Sequence, residues 1–345
     1  MQAVISSINQ STEAYVRRFI DPSRHAALCD TNLSFPDHIT VHKHTGKVRD
    51  VYLTDTHVVI VTTDRLSAFD RCIASVPYKG QVLNMISMWW FSQMKSVVPN
   101  HIVACPHPNI AICRKCKVFP IEFVVRGFIT GTTSTSMWTN YAKGVRDYCG
   151  HHLPEGLVKN QRLDRVLLTP TTKDDSHDEL ISAAEVVASG RMAQEEWDVC
   201  SDYAMRLFRD SQEKALERGL ILVDTKYEFG RCELTGEILL VDELQTPDSS
   251  RYWLAHSYEG RVSSGKEPEN IDKEFLRRWY TEMCDPYEDI QIPEAPLELI
   301  SELARRYIML FEVITGERMQ FCEYDKLQQD MNVAICRFFE SSATA

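Results

Sequence analysis

The stretch Gly219–Trp253, GLILVDTKYEFGRCELTGEILLVDELQTPDSSRYW, constrains the fold more than any other. Its two apolar runs, Ile221-Leu222-Val223 and Ile238-Leu239-Leu240-Val241, are separated by a segment with Gly230 and Gly236, the pattern of a hairpin of two largely buried strands. Each run leads into charge. Asp224, Lys226 and Glu228 alternate with Thr225, Tyr227 and Phe229, so on a strand the three charges share one face at intervals of about 7 Å. The return run delivers Asp242 and Glu243. Like charges crowded in a partly desolvated place raise each other's pKa, and a bound divalent cation would relieve that. An alternating charged strand on its own reads as a solvated edge. The turn that follows, Thr246-Pro247-Asp248-Ser249-Ser250-Arg251, shifts the balance, because its hydroxyls, carboxylate and arginine suit a phosphate.

At 345 residues the chain is longer than one core usually serves, and about two modules are expected. Its 38 basic and 49 acidic residues give a net charge of −11, which argues against a general nucleic-acid binder but leaves room for a local basic pocket. The 11 scattered cysteines do not form a small disulfide scaffold, and no hydrophobic signal segment opens the chain, so a reduced, cytoplasmic setting is expected. The acid-free first twelve residues leave an organellar transit segment as the alternative. No uncharged apolar run is long enough to span a bilayer.

Taken in order, residues 4–20 carry apolar side chains at helical intervals. Lys43 to Tyr52 and His57 to Thr62 read as paired antiparallel strands, in which Gly46 permits close backbone approach and Lys47 and Arg49 share a face, an arrangement suited to covering a nucleoside triphosphate. The segment TTDRLSAFD, 62–70, has the composition of a loop near a site. Gly80–Val97 reads as a buried helix. His101, Cys105, His107, Cys113 and Cys116 contain a C-x-x-C. It lacks the glycines of a zinc knuckle and runs into a strand that would send Cys113 and Cys116 to opposite faces, so packing is the expectation. In VVRGFITGTTSTSMW, Arg126 and the run Gly131 to Ser134 precede a helix in the manner of an anion-binding turn. Leu168 to Lys173 ends in a lysine, after which Asp178 is expected to cap a helix beginning near Glu179. Two helices broken near Gly190 fill 179–218, Gly260–Glu269 reads as a mobile surface loop, and helices resume at Phe275, Leu297 and Phe321.

GKVRDVY, TTDRLSAFD, VVRGFITGT, TPTTK with the following HD, LVDTKYEFG and VDELQTPDSSRYW occur in the order found in the phosphoribosylaminoimidazole-succinocarboxamide synthase (SAICAR synthetase) family, which the chain resembles from about Lys43 to about Gly316. The resemblance implies an α+β fold with a kinase- or ATP-grasp-like antiparallel sheet covering the nucleotide above a larger α/β module. The divisions expected are 1–42 as an N-terminal extension with a helix, 43–120 as the nucleotide-covering module, 121–320 as the substrate and metal module, and 321–345 as a C-terminal helix and tail. It further implies an ATP-dependent carbon–nitrogen ligase of purine biosynthesis that joins the aminoimidazole ribonucleotide CAIR to L-aspartate through an acyl phosphate. ATP and Mg2+ would be used with these small-molecule substrates, by a monomer or homo-oligomer and with no nucleic-acid or membrane partner.

By the same resemblance, Lys226 and Lys173 are the catalytic candidates, and Gly46, Lys47, Arg49, Lys173, Glu228 and Asp242 hold ATP. Glu228 and Asp242 bind the metal. Arg126, Thr132, Asp248, Ser250 and Arg251 hold CAIR, and Asp178 is the aspartate candidate. The rivals are a kinase and a nucleotide-binding regulatory protein without activity. No H-R-D-x-x-x-x-N, D-F-G, Walker or G-x-G-x-x-G pattern occurs, which weighs against the first, and the intact charged set argues against the second.

Overall fold

The computed structural model describes residues 26–69, 71–173, 178–271 and 273–342. The expected helix at 4–20, any transit segment and the run 174–177 lie outside these. In chain order the elements are β1 His42–Thr45, β2 Arg49–Leu53, β3 His57–Thr62, β4 Arg65–Ala68, β5 Arg71–Ser75, α1 Lys79–Met94, β6 Ile102–His107, β7 Ile110–Arg114, β8 Cys116–Val118 and β9 Ile121–Phe128. Then come α2 Met137–Ala142, β10 Asp147–Tyr148, β11 His151–His152, β12 Arg162–Leu168, β13 Thr171–Thr172, α3 Ala183–Ala188, α4 Gln194–Glu217 and β14 Leu220–Cys232. The last are β15 Ile238–Val241, β16 Ser250–Leu254, α5 Ala255–Ser263, α6 Glu274–Met283, α7 Leu297–Thr315 and α8 Tyr324–Ser342. None of the described helices is long and apolar enough to cross a membrane.

Two compact units form, and they do not follow chain order. The first takes residues 1–89, 102–115 and 272–345, and the second takes 90–101 and 116–271. The C-terminal segment thus packs with the N-terminal sheet rather than standing as a separate tail. That sheet is antiparallel in the order β1-β2-β3-β7-β6. Its core includes Val59, Val61, Ile110 and Ile112 with Leu327, Met331, Ile335 and Phe339, and the last four recur every fourth residue along one stripe of α8. Each such side chain, fully buried, contributes about 1.5–3 kcal/mol, so α8 is a structural part of this unit.

The second unit is built on β14, with the strand path β12-β9-β14-β15 and with β8, β13 and β16 attached. The expected hairpin is corrected here. Ile238–Val241 pairs with Glu228 to Arg231, while Leu220, Ile221 and Leu222 lie against Leu254, Trp253 and Tyr252 of β16, the register shifting at Val223. One strand thirteen residues long carries both the apolar run and the charged alternation, because its turn falls after Cys232 rather than at Gly230. Ser250 and Arg251, expected in a turn, begin β16.

The apolar face of β14 meets α4, whose buried Trp197, Cys200, Ala204, Leu207, Phe208, Ser211 and Ala215 keep helical spacing. Phe123 of β9 stacks on Trp197 at 5.3 Å and meets Phe229 edge-on at 5.1 Å. Side chains of β9 and β14 alternate, so covering this face with α4 leaves the charged set on the other.

Three smaller expectations are also corrected. Gly260–Glu269 is not a free loop, because α5 runs to Ser263 and Glu267 accepts from Lys159 at 2.6 Å and Asn160 at 2.9 Å. Asp178 does not cap a helix. Ser182 does, through a capping box with Glu185. Cys113 and Cys116 fall on two different strands, β7 and β8.

Candidate active site

The charged face of the second unit is set by register. Asp224 of β14 lies opposite Arg126 of β9 on one side and Arg251 of β16 on the other, and Lys226 lies opposite Val124. Glu122 and Arg126 share a face of β9 by alternation. Salt bridges run across these strands: Arg251 Nη1 to Asp224 Oδ2 at 2.5 Å, and Arg126 Nη1 to the same oxygen at 3.7 Å. Lys226 pairs closely with Glu122 and stands 3.9 Å from Glu228 Oε1, while Lys173 pairs with Glu228 Oε2. The face therefore alternates in sign along a chain of contacts.

Exposure separates the two signs. The Glu122, Glu228 and Asp224 side chains are 6–7% exposed, whereas Lys173 keeps 42%, Lys226 36% and Arg251 21%. Carboxylates at the base pair with cations whose side chains keep part of their surface exposed, an arrangement that can present positive charge to an anion. Burial works against the charge of Lys226, but Glu122 and Glu228 more than offset it, and the charge of Asp178 adds to them, so its ammonium is held above the ordinary lysine value.

Arg126 is committed largely to the fold. Its Nε donates to Thr169 Oγ1 at 2.8 Å, its Nη2 to the Thr135 carbonyl at 3.4 Å, and its guanidinium lies 5.8 Å from the Tyr148 ring. Tyr148 in turn donates to that carbonyl at 2.5 Å, and burial pushes its phenol up to about 12. Together they fix the loop from Gly131 to Ser136. Gly131 has φ of 103°, and a Cβ there would stand 2.4 Å from Ser136 Cβ and 3.4 Å from Arg251 Nη2, so this position requires glycine and the loop closes over Arg251. Thr132 is exposed on it. The helix that follows, α2, is only six residues long.

Ser250 sits on the opposite face from Arg251. Its buried hydroxyl contacts Thr225 Oγ1 at 2.7 Å and donates to Gln245 Oε1 at 3.1 Å, which ties it to the turn rather than to the charged face. Asp248 lies in that turn, its N–H donating to Thr246 Oγ1 at 3.3 Å.

Glu228 lies opposite Val241, the last residue of β15, so Asp242 follows just past the strand's end. Asp242 has φ of 66°, a left-handed conformation that ends the strand's alternation. Strain of this kind, on the order of 1–3 kcal/mol, persists where the surroundings impose it. A buried carboxylate on one strand and a strained one just past the end of its neighbour are the hard oxygen donors magnesium prefers. Among the described residues no group of three or more His, Cys, Asp or Glu side chains is placed to hold a metal. Two carboxylates fit the way magnesium binds with phosphate oxygens and water as its other ligands.

In the first unit, Lys47 is not on a strand with Arg49 but in the turn between β1 and β2, because Gly46 N donates to the Arg49 carbonyl at 2.8 Å and closes a tight connection. The segment TTDRLSAFD holds that turn. Thr63 donates to the Val48 carbonyl from its hydroxyl at 2.7 Å, and Arg65 donates to the carbonyls of Gly46 at 3.0 Å and Lys47 at 3.2 Å.

Glu122 is a member of this charged face that sequence reading passed over. The signal was present, since Glu122 and Arg126 alternate with the apolar Ile121, Phe123 and Val125, but a single acid on a strand reads as solvated.

The fold is α+β, and one face of its second unit gathers cations paired with buried carboxylates. A SAICAR synthetase family model matches residues 42–293. The chain is 60% identical over 290 residues to the phosphoribosylaminoimidazole-succinocarboxamide synthase of Legionella pneumophila (strain Lens), covering 84% of this chain and 91% of that one. It is 60% identical over 274 residues to the enzyme of that name, chloroplastic, of Arabidopsis thaliana, covering 79% and 66%. The solved SAICAR synthase of Saccharomyces cerevisiae, complexed with SAICAR, superposes with a TM-score of 0.70 at 31% identity, covering 84% of this chain and 99% of that one. The chain belongs to the SAICAR synthetase family. It is a carbon–nitrogen ligase of purine biosynthesis.

Proposed function

We propose that the chain joins the carboxylate of CAIR to the amine of L-aspartate to give SAICAR, with ATP going to ADP and phosphate. The observation that carries this reading is the face on which buried Glu122, Glu228 and Asp224 pair with the partly exposed side chains of Lys226, Lys173 and Arg251.

The chemistry explains the residue types. A carboxylate resists an amine because oxide is too poor a leaving group. Transfer of the γ-phosphoryl group to a carboxylate oxygen of CAIR gives an acyl phosphate and ADP. The aspartate nitrogen then attacks the acyl carbon, the carbon–oxygen bond to phosphorus breaks, phosphate leaves with that oxygen, and the nitrogen gives up a proton. Lys173 and Lys226 offset the charge that gathers on the phosphoryl oxygens. Magnesium would be held by Glu228 and Asp242, and when bound it would neutralise phosphate charge. In the first unit Gly46, Lys47 and Arg49 are nucleotide contacts, the carbonyls of their turn being tied back by Arg65. Arg251 and Thr132 contact the ribonucleotide, Asp248 holds the turn before β16, and Arg126 and Ser250 act by positioning Asp224, the Gly131 loop and that turn. Asp178, whose charge is felt at Lys226, is the candidate for receiving the ammonium of L-aspartate.

The test is phosphate release by the purified protein with each substrate omitted in turn. Release should need ATP, CAIR and aspartate together. Full-rate release without aspartate would overturn the ligase in favour of a kinase or ATPase.

A further inference from the structure

Glu122 performs no step in this chemistry, yet it stands inside the charged face with both carboxylate oxygens engaged. It lies opposite Thr171 of β13 in the register of β9. Its Oε2 accepts from Thr171 Oγ1 at 3.1 Å, and its Oε1 pairs with Lys226. A second acid at Lys226 is Glu228 Oε1, at 3.9 Å, with the charge of Asp178 acting on it as well, and Glu228 Oε2 pairs with Lys173. Lys173 follows Thr171 by two residues, so the contacts close a ring: Glu122 to Lys226, to Glu228, to Lys173, and back along the backbone to Thr171 and Glu122.

Within that ring Lys226 makes a close pair with Glu122 and a long one with Glu228. A lysine is a point charge on a flexible stem and settles on whichever carboxylate attracts it more. Were Glu122 uncharged, nothing on β9 would hold Lys226, and Glu228 would draw the ammonium the remaining distance. Glu228 would then carry two ammonium partners, Lys173 and Lys226. A dication arriving with a nucleotide would have to displace one of them.

We propose that Glu122 is a positioning residue: by holding Lys226 against β9 it keeps that lysine from competing with a divalent cation for Glu228. The inference rests on the reading of Glu228 as a magnesium ligand.

Calorimetric titration of ADP, with magnesium in excess and with EDTA, tests it without turnover. The quantity read is the gain in ADP affinity that magnesium confers. Glu122→Gln should cut that gain about tenfold, the size of an ordinary coupling between neighbouring charges, and leave ADP affinity in EDTA unchanged. Lys226→Met removes the competitor and should retain the gain in full. The Glu122→Gln/Lys226→Met double variant should match Lys226→Met. An undiminished gain in Glu122→Gln overturns the proposal, as does a loss that Lys226→Met fails to restore, which would mean that Glu122 acts through something other than Lys226. Should Glu122→Gln fail to fold, Lys226→Met still decides, because a reduced gain there contradicts a competing lysine. A wild-type protein with no magnesium-dependent gain sinks the metal assignment itself, and with it this inference, a result distinct from one confined to the Glu122 variant.

Discussion

Both units bury acidic side chains among donors, and they employ them differently. In the first unit Asp64 is 1% exposed and accepts from Leu28 N at 2.7 Å, Gly80 N at 2.8 Å and the Tyr324 hydroxyl at 2.6 Å. Asp50 accepts from Thr31 N at 3.0 Å, the Thr31 hydroxyl at 2.7 Å and Arg65 at 2.8 Å. Burial raises the carboxyl of Asp64 above its ordinary value in spite of those donors, while at Asp50 Thr31, Arg65 and Lys43 overcome burial and hold it below. In the second unit Glu228 is as deeply set, but its partners are ammonium groups on long, half-exposed stems. Backbone N–H groups and a partly buried tyrosine packed in the core cannot leave their acceptor without unfolding something. An exposed ammonium can exchange its carboxylate for a phosphate. Glu228 thus differs from Asp64 in the mobility of its donors rather than in being buried.

The strongest way to break this contrast is Asp242→Asn. Asparagine tolerates the left-handed backbone at φ 66° nearly as well as aspartate, so the change removes charge and spares the turn. Turnover should fall roughly a thousandfold, as when one charge-stabilising group is lost from a reacting centre, with a melting temperature close to that of the parent. Activity near that of the parent at saturating magnesium would remove Asp242 from the site.

How far the sequence discloses this contrast depends on the reach of the contacts. The charged face of β14 was legible because alternation is local, and α4 and α8 because helical spacing is. TTDRLSAFD read as a site loop on composition, but Asp64 finds its partners 36 residues before it, at Leu28, and 260 residues after it, at Tyr324, and no periodicity carries such information. The hairpin register was missed because Gly230 mimics a turn signal while lying inside a continuous strand, where Cys116 Cβ would stand only 3.0 Å from any added Cβ. Ser250 was assigned to the ribonucleotide by the family resemblance, with the turn 246–251 expected to carry it. Its membership of β16 sends the hydroxyl to the other face.

Asp64→Ala probes the staple side. Three donors, two of them buried, would lose their acceptor, and stability should drop by about 3–5 kcal/mol, read by urea unfolding. In the protein that remains folded, half-saturation for each of the three substrates should stay within about twofold of the parent. A variant with parental stability and lost turnover would move Asp64 from the staples to the site.

Arg251→Lys should have the smallest effect and decides the finest point, since Arg251 resembles both classes. One arm is anchored, with Nη1 on Asp224 Oδ2 at 2.5 Å, as a staple would be. The other, Nη2, lies beneath the backbone of Gly131, and the side chain keeps 21% of its surface exposed. If the anchored arm serves to aim the other, a ligand anion completes the guanidinium's fork, and lysine cannot replace two parallel hydrogen bonds with one point charge. Losing one charge-assisted bond costs about 1.5–3 kcal/mol, so half-saturation for CAIR should rise roughly ten- to a hundredfold while those for ATP and aspartate hold. Asp224→Asn offers an independent check, because it loosens the anchor but leaves the guanidinium in place, and should therefore shift the same parameter in the same direction by less. An unchanged CAIR half-saturation in Arg251→Lys, with a lowered melting temperature, would class Arg251 with the donors of Asp64, and exposure of the cation would then no longer separate a site from a staple.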